Sequence, residues 1–143
     1  MIIKKKINTE DHNIEFVNTK KVESYLSKKI NDKDILIIDK SLIKNIIINK
    51  IYKVFSKRCF LVNGNEGIKS LKSFSTLIEK ILRIGIQRDS KLISIGGGTI
   101  GDLSGYIASS LLRGIDHIMV PTSLLAMVDS SIGGKTGINS NYG

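Results

Sequence analysis

Three features of the sequence predict an α/β fold, a parallel sheet with flanking helices. Short apolar runs such as Asp34-Ile-Leu-Ile-Ile-Asp39 are bounded by charged residues and show no alternation, the mark of strands buried on both faces. Stretches with apolar residues at helical spacing separate these runs. Strands alternating with helices of about ten to sixteen residues imply parallel pairing through right-handed crossovers. Ten of the 13 glycines lie after residue 95, so special backbone geometry is concentrated in the last third.

In order, residues 1–7 and 13–17 read as an opening β-hairpin, and 19–30 has helical spacing. Residues 34–39 form the first buried strand. A helix follows from Ser41, a plausible N-cap, with Ile43, Ile47, Ile51 and Phe55 on one face and Lys44, Lys50 and Lys53 interrupting the rest. Residues 58–62 form a second buried strand. After the turn Asn63-Gly64-Asn65, a helix over about 70–86 carries Leu71, Phe74, Ile78 and Leu82 inward. Residues 91–95 are a third strand, 100–112 a helix and 117–120 a fourth strand. No internal repeat or low-complexity linker interrupts this order.

At 143 residues, 41% hydrophobic and 24% charged, the chain suits one packed domain, residues 1–143. No apolar run approaches the roughly 20 residues that a membrane span needs, so no membrane partner is expected. Lys4, Lys5 and Lys6 follow two isoleucines, and no apolar stretch with a cleavage site comes after them, which does not read as a secretory signal. Cys59, the one cysteine, forms no internal disulfide and supplies no thiolate cluster; a reducing, cytoplasmic setting is the default. The net charge of +9 raises the question of nucleic acid. Residues 1–91 hold 20 Lys+Arg against 10 Asp+Glu, and residues 92–143 hold 2 against 3. These lysines punctuate helix patterns without interleaved aromatics or a reader motif, so they read as solvated surface and no nucleic-acid partner is expected.

In parallel sheets ligands bind beyond the carboxyl ends of the strands, which directs attention to the loops after Asp39, Val62, Ile95 and Val120. After the third strand runs Gly96-Gly-Gly-Thr-Ile-Gly-Asp102. Glycines between strand and helix let backbone N–H groups approach a phosphate, and the helix N-terminus adds partial positive charge. The run lacks the spacing of the dinucleotide fingerprint and of the P-loop, and a tight structural turn is the competing reading. Asp102 belongs to the first helical turn, where it accepts ribose hydroxyls or complements the helix dipole. After the fourth strand, Thr122 and Ser123 open a helical run toward the same crevice. Asp129 to Gly137 then sets a carboxylate, hydroxyls and glycines around Lys135, a combination suited to an anionic substrate; a polar loop with a capping aspartate is the alternative. Arg113 is spaced as a cation at a helix C-terminus ahead of Gly114. Glu66 and Lys69 are spaced for a first-turn ion pair. His12 and His117 are read as structural, and Cys59 as a buried strand residue.

Gly96-Gly-Gly-Thr-Ile-Gly-Asp-Leu-Ser-Gly-Tyr-Ile-Ala, Leu112-Arg-Gly-Ile, and Val120-Pro-Thr-Ser-Leu-Leu-Ala-Met-Val-Asp-Ser-Ser-Ile-Gly-Gly-Lys-Thr-Gly closely resemble the 3-dehydroquinate synthase family, within the sugar phosphate cyclases. The resemblance is dense over 92–143. It continues more thinly before that, where Asn65-Glu-Gly-Ile-Lys69 resembles the family's Gly-Glu-x-x-Lys segment with asparagine in place of glycine; Ser123 stands where threonine is common.

The resemblance implies a Rossmann-like NAD-binding domain and a lyase that converts 3-deoxy-D-arabino-heptulosonate 7-phosphate to 3-dehydroquinate with loss of phosphate, the second step of the shikimate pathway. It further implies that NAD is a catalyst, that zinc or another divalent metal such as cobalt assists with ligands outside this chain, and that the complete enzyme is a homodimer. Position by position, it assigns Asn65, Glu66 and Lys69 to the adenosine side of NAD, with Asp39 as an adenine-ribose contact. Gly97, Gly98, Thr99 and Gly101 fall to the pyrophosphate turn, Asp102 to a ribose, and Thr122 and Ser123 to the nicotinamide half. Asp129 and Lys135 would bind substrate, Lys135 also touching cofactor, and Arg113 would offer its guanidinium to phosphate across the dimer interface. The family's helical C-terminal domain has no counterpart here, so the chain reads as an incomplete, N-terminal part that is expected to be inactive alone. A related cyclase, or a non-catalytic nucleotide-binding module, is the alternative.

Overall fold

The computed structural model describes residues 4–6, 13–15, 17 and 21–142. The chain divides into two compact units, residues 1–31 and 32–143. In the first, strands β1 (Lys4–Lys6) and β2 (Asn13–Glu15) pair antiparallel, Lys5 opposite Ile14. The predicted hairpin is present there; its turn, and His12 within it, lie outside the described residues. Helix α1 (Val22–Lys29) follows. Glu15 is its link to the hairpin, taking the Tyr25 hydroxyl and, at 3.2 Å, the Lys29 ammonium.

The second unit is the predicted Rossmann-like layer structure. Strands β3 (Ile35–Asp39), β4 (Cys59–Val62), β5 (Lys91–Gly96) and β6 (Asp116–Pro121) form one all-parallel sheet in the order β4-β3-β5-β6. Ile35, Leu36, Ile37 and Ile38 are all fully buried, which is why the run shows no alternation. The first crossover moves from β3 outward to β4, and the next returns past β3 to β5. The strand order therefore reverses between β3 and β5, and a crevice opens there at the carboxyl ends.

Helices α2 (Ile46–Val54), α3 (Leu71–Arg83) and α4 (Gly98–Ser110) make the crossovers. α3 and α4 share a core with Ile35, Ile37, Val62 and Leu92, to which they contribute Leu77, Ile81, Ile100, Leu103, Ile107 and Ala108. Along α4, glycines four apart let the helix ride close over β6. A Cβ on Gly101 would strike the Met119 side chain, and one on Gly105 would strike Thr136 and come within 3.2 Å of His117 Nδ1. His117 is mostly buried there, its Nε2 hydrogen-bonded with Ser94 Oγ at 2.9 Å. It is a structural histidine, as expected.

Several details differ from the sequence reading. Ser41 is not the cap of α2. The Asp39 carboxylate accepts the Ser41 amide at 2.9 Å and starts a 3-10 turn, Lys40–Lys44. Asn45 then caps α2, its Oδ1 accepting from Ile47 N at 2.9 Å and Ile48 N at 3.3 Å. The buried residues of α2 are Ile48 and Ile51. In α3, Ser70 is the cap, but Leu77 and Ile81 face the core while Leu71 and Leu82 are exposed. Cys59 is half-buried. The run after Thr122 widens into a π-helical turn, Ala126–Ser130, before the short helix α5 (Ser131–Gly133).

Candidate functional site

All four strands end at one edge of the sheet, and the loops that leave them build the crevice there. Asp39 ends β3. Across from it, Gly64 in the loop after β4 lies so close that a Cβ would collide with the Asp39 carboxylate, so only glycine leaves that carboxylate in place. Asp39, Lys40, Ser41, Asn63, Gly64 and Asn65 line an open groove of about 390 Å³. Beyond Asn65 the chain makes a 3-10 turn, Glu66–Ile68, that carries Glu66 and leads to Lys69.

Lys69 is shared between two carboxylates. Its Nζ lies 3.0 Å from Asp102 Oδ2 on α4 and 3.3 Å from Glu66 Oε1. The Asp102 hydrogen bond, more than any other influence, raises the Lys69 pKa above that of a free lysine, against partial desolvation. Glu66 is held below its ordinary range, first by a hydrogen bond from Asn139 and then by Lys69, with a smaller contribution from Thr99. The pair expected from the spacing of three is therefore one link of a longer chain, Asn139–Glu66–Lys69–Asp102. Asp102 sits beyond the first turn of α4, and its charge is matched by Lys69 instead of being left to the helix dipole.

Next to this chain, β5 ends at Gly96 and α4 begins at Gly98. Gly97, the N-cap, is extended and receives no side-chain cap. A Cβ on Gly98 would come within 2.6 Å of Ser130 Oγ, so the turn is packed from behind and bare of side chains on its own account. Thr122 N donates to Gly96 O at 2.9 Å, fixing the end of β6 beside this turn. Ser123 lies against Gly97, and its hydroxyl accepts the Ala126 amide at 3.3 Å. A dinucleotide fits this arrangement. Its anionic centre would meet uncapped backbone amides at Gly97–Thr99, and the Glu66 and Asp102 carboxylates stand ready for hydroxyls nearby.

Of the remaining predicted residues, Asp129 and Lys135 lie on the segment that follows Ser123, and Arg113 stands apart. Asp129 lies on the π-helical turn and Lys135 follows Gly134, whose φ of +63° is left-handed; both are exposed. Arg113 is at the other end of α4. Leu112, Arg113 and Gly114 take φ of +50°, +76° and +105° in succession, turning the chain into β6 at the amino-terminal edge of the sheet. Among the described residues no group of three His, Cys, Asp or Glu could hold a metal ion. Burial pushes the Cys59 thiol up to about 12, so it is no thiolate nucleophile at neutral pH. Asn139 is the functional-site residue that sequence reasoning missed. Nothing in Gly137-Ile-Asn-Ser140 signals it, because its partners lie some 70 positions back in the chain.

Residues 59–143, more than half of the chain, match the family model described as 3-dehydroquinate synthase, N-terminal. The chain belongs to the 3-dehydroquinate synthase family. A 3-dehydroquinate synthase from Pelagibacter ubique (strain HTCC1062) is 39% identical over 150 residues, covering 99% of this chain and 41% of that relative. Among solved structures, a 2-deoxy-scyllo-inosose synthase superposes with a TM-score of 0.78 at 26% identity, covering 99% of this chain and 42% of the other. Another structure of a 2-deoxy-scyllo-inosose synthase, complexed with carbaglucose-6-phosphate, NAD+ and Co2+, matches at 30% identity with a TM-score of 0.70, covering 87% of this chain and 35% of the other. The chain thus spans less than half the length of these family members, and what it matches in them is the part with the parallel sheet.

Proposed function

We propose that this chain forms the NAD-binding half of a 3-dehydroquinate synthase, a homodimeric lyase that converts 3-deoxy-D-arabino-heptulosonate 7-phosphate to 3-dehydroquinate with loss of phosphate. The observation that carries the reading is the meeting, at the switch point of the sheet, of an uncapped glycine turn with the Glu66–Lys69–Asp102 chain. The 39% identity to a 3-dehydroquinate synthase, against 26–30% to inosose synthases, favours this substrate over other sugar phosphates.

NAD, when bound, would supply reversible two-electron oxidation of one substrate alcohol group without being consumed. The chain's own residues bind and orient. Amides of Gly97, Gly98 and Thr99 receive the pyrophosphate, aided by the α4 dipole. Glu66 and Asp102 accept ribose hydroxyls. Lys69 prevents their two negative charges from repelling the diphosphate. Asp39, held by the Ser41 amide, and Asn65 border the adenosine end, while Gly101 keeps α4 against Met119 so that the turn stays in place. Thr122 and Ser123 flank the nicotinamide end. Asp129 and Lys135 receive the hydroxyls and anionic groups of the substrate, and Arg113 reaches the phosphate of the partner subunit's substrate. The described residues do not suit a divalent metal, so no step here runs through one.

Isothermal calorimetry on the protein should give micromolar binding of NAD, lost in Gly97→Val, whose branched side chain fills the turn. The released-phosphate assay then decides the substrate. Measured on a full-length enzyme that carries this domain, turnover of 3-deoxy-D-arabino-heptulosonate 7-phosphate is expected, whereas turnover of glucose 6-phosphate instead would assign an inosose synthase. Absence of NAD binding by the wild-type protein would remove the reading.

A further inference from the structure

Glu66 stands on a single 3-10 turn whose N-cap residue, Asn65, gives it no side-chain bond, and its side chain is 65% exposed. Such a carboxylate has many rotamers in reach and is aimed only by what bonds to it. Two donors converge on one of its oxygens. Asn139 Nδ2 donates to Oε1 at 2.8 Å, and Lys69 Nζ approaches the same atom at 3.3 Å.

Asn139 is itself anchored. Its backbone N–H donates to Lys69 O at 2.7 Å, and it makes a parallel β-bridge with Ser70, the cap of α3. Three residues earlier, Thr136 is seated in the notch that Gly105 leaves on α4, close to the buried His117 ring. Residues 136–139 therefore form a strap pinned at both ends, with Lys135 at its entrance. The strap runs from Gly105 on α4 to Lys69 and delivers a neutral donor to Glu66 at a point where a second cation would cancel the negative charge.

We propose that Asn139 is a positioning residue: by holding Glu66 Oε1 it leaves the other carboxylate oxygen aimed into the crevice, where it accepts a ribose hydroxyl of the nucleotide. This rests on the reading of the crevice as the NAD site. It also ties the arm bearing Lys135 to the adenosine end of that site, since one short segment touches both.

The test pairs carbon-13 NMR titration of the Glu66 carboxyl with NAD calorimetry on the full chain, in wild type, Asn139→Ala and Asn139→Asp. The Asp variant keeps the size and the backbone bond to Lys69 O but sets a carboxylate against Glu66. Asn139→Ala should move the Glu66 titration up toward the ordinary carboxylate range and weaken NAD about fivefold. Asn139→Asp should move it further and weaken NAD more, since like charges then face each other. In a Glu66→Gln background neither variant should change NAD affinity further, the non-additivity expected of residues acting through one another. An unmoved Glu66 titration in both variants overturns the proposal, as does an equal loss of affinity with Glu66 already replaced. If Glu66 shifts as expected but wild type does not bind NAD, the cofactor reading falls and the coupling of Asn139 to Glu66 stands.

Discussion

His117 brings pH sensitivity into the fold through one side chain. It lies on the α4 face of β6, bonded through Nε2 to Ser94 and roofed by Gly105 and Thr136, and desolvation lowers its pKa from 6.5 to about 4. Between those two values the unfolded chain binds a proton that the folded chain refuses, so stability rises with pH across that window. Above pH 6.5 the contribution is complete, and it is lost as pH falls toward 4. Urea denaturation should show wild type losing about 2 kcal/mol more than His117→Phe between pH 7 and pH 5, since one pKa unit is worth about 1.4 kcal/mol. Equal losses in the two proteins would mean that the ring is not desolvated in solution. The sequence placed His117 on a strand and away from metal chemistry; its burial depended on Gly105, whose missing side chain gives no sign of which strand residue will lie beneath it.

Elements were legible where one physical rule dominates. The strands of the parallel sheet were found within a residue or two because β3 is apolar on both faces and bounded by charge, and β5 is an apolar run between Lys91 and the glycine turn. Helix faces were less legible because isoleucine and leucine occupy more of each helix than its buried stripe. Ile46, Ile47 and Ile48 are consecutive, yet only Ile48 is buried and Ile46 is 75% exposed. In α3, Leu71 and Leu82 sit together at the margin of the apolar stripe whose middle is Leu77 and Ile81. The start of α2 was misread because Ser41 and Asn45 are both good caps; Asn45 wins since the Asp39 carboxylate already ties the Ser41 amide into the preceding turn. This ordering can be measured. Asn45→Ala removes two hydrogen bonds and should lower stability by about 1 kcal/mol. Ser41→Ala, whose amide and not its hydroxyl makes the bond, should stay within about 0.5 kcal/mol of wild type. A larger loss in Ser41→Ala would restore the serine as the cap.

At the scale of the whole molecule, the two edges of the sheet divide the work. Glu66, Lys69, Gly97, Asp102 and Asn139 gather at the carboxyl edge, and they were readable in part because glycine runs and carboxylates follow strands there. Arg113 belongs to the other edge. α4 has 13 residues and separates the two ends by roughly 20 Å at 1.5 Å per residue. Its guanidinium therefore stands an entire helix away from the crevice its own chain builds, on a left-handed turn that projects residues 112–114 outward. A phosphate-binding role then requires that Arg113 serve the crevice of a second copy, as in the proposed homodimer, while Lys135 serves its own. The consequence is a complementation experiment. In a full-length enzyme that carries this domain, Arg113→Ala and Lys135→Ala should each abolish turnover, with Arg113→Ala leaving NAD affinity unchanged. Refolded together in equal amounts, half of the dimers contain one chain of each kind. In a two-fold assembly one crevice of each mixed dimer then carries both defects and the other carries neither, so activity should return to about a quarter of the wild-type level. Failure of the mixture to regain activity, with mixed dimers verified by native mass spectrometry, would place Arg113 in the service of its own chain or of none.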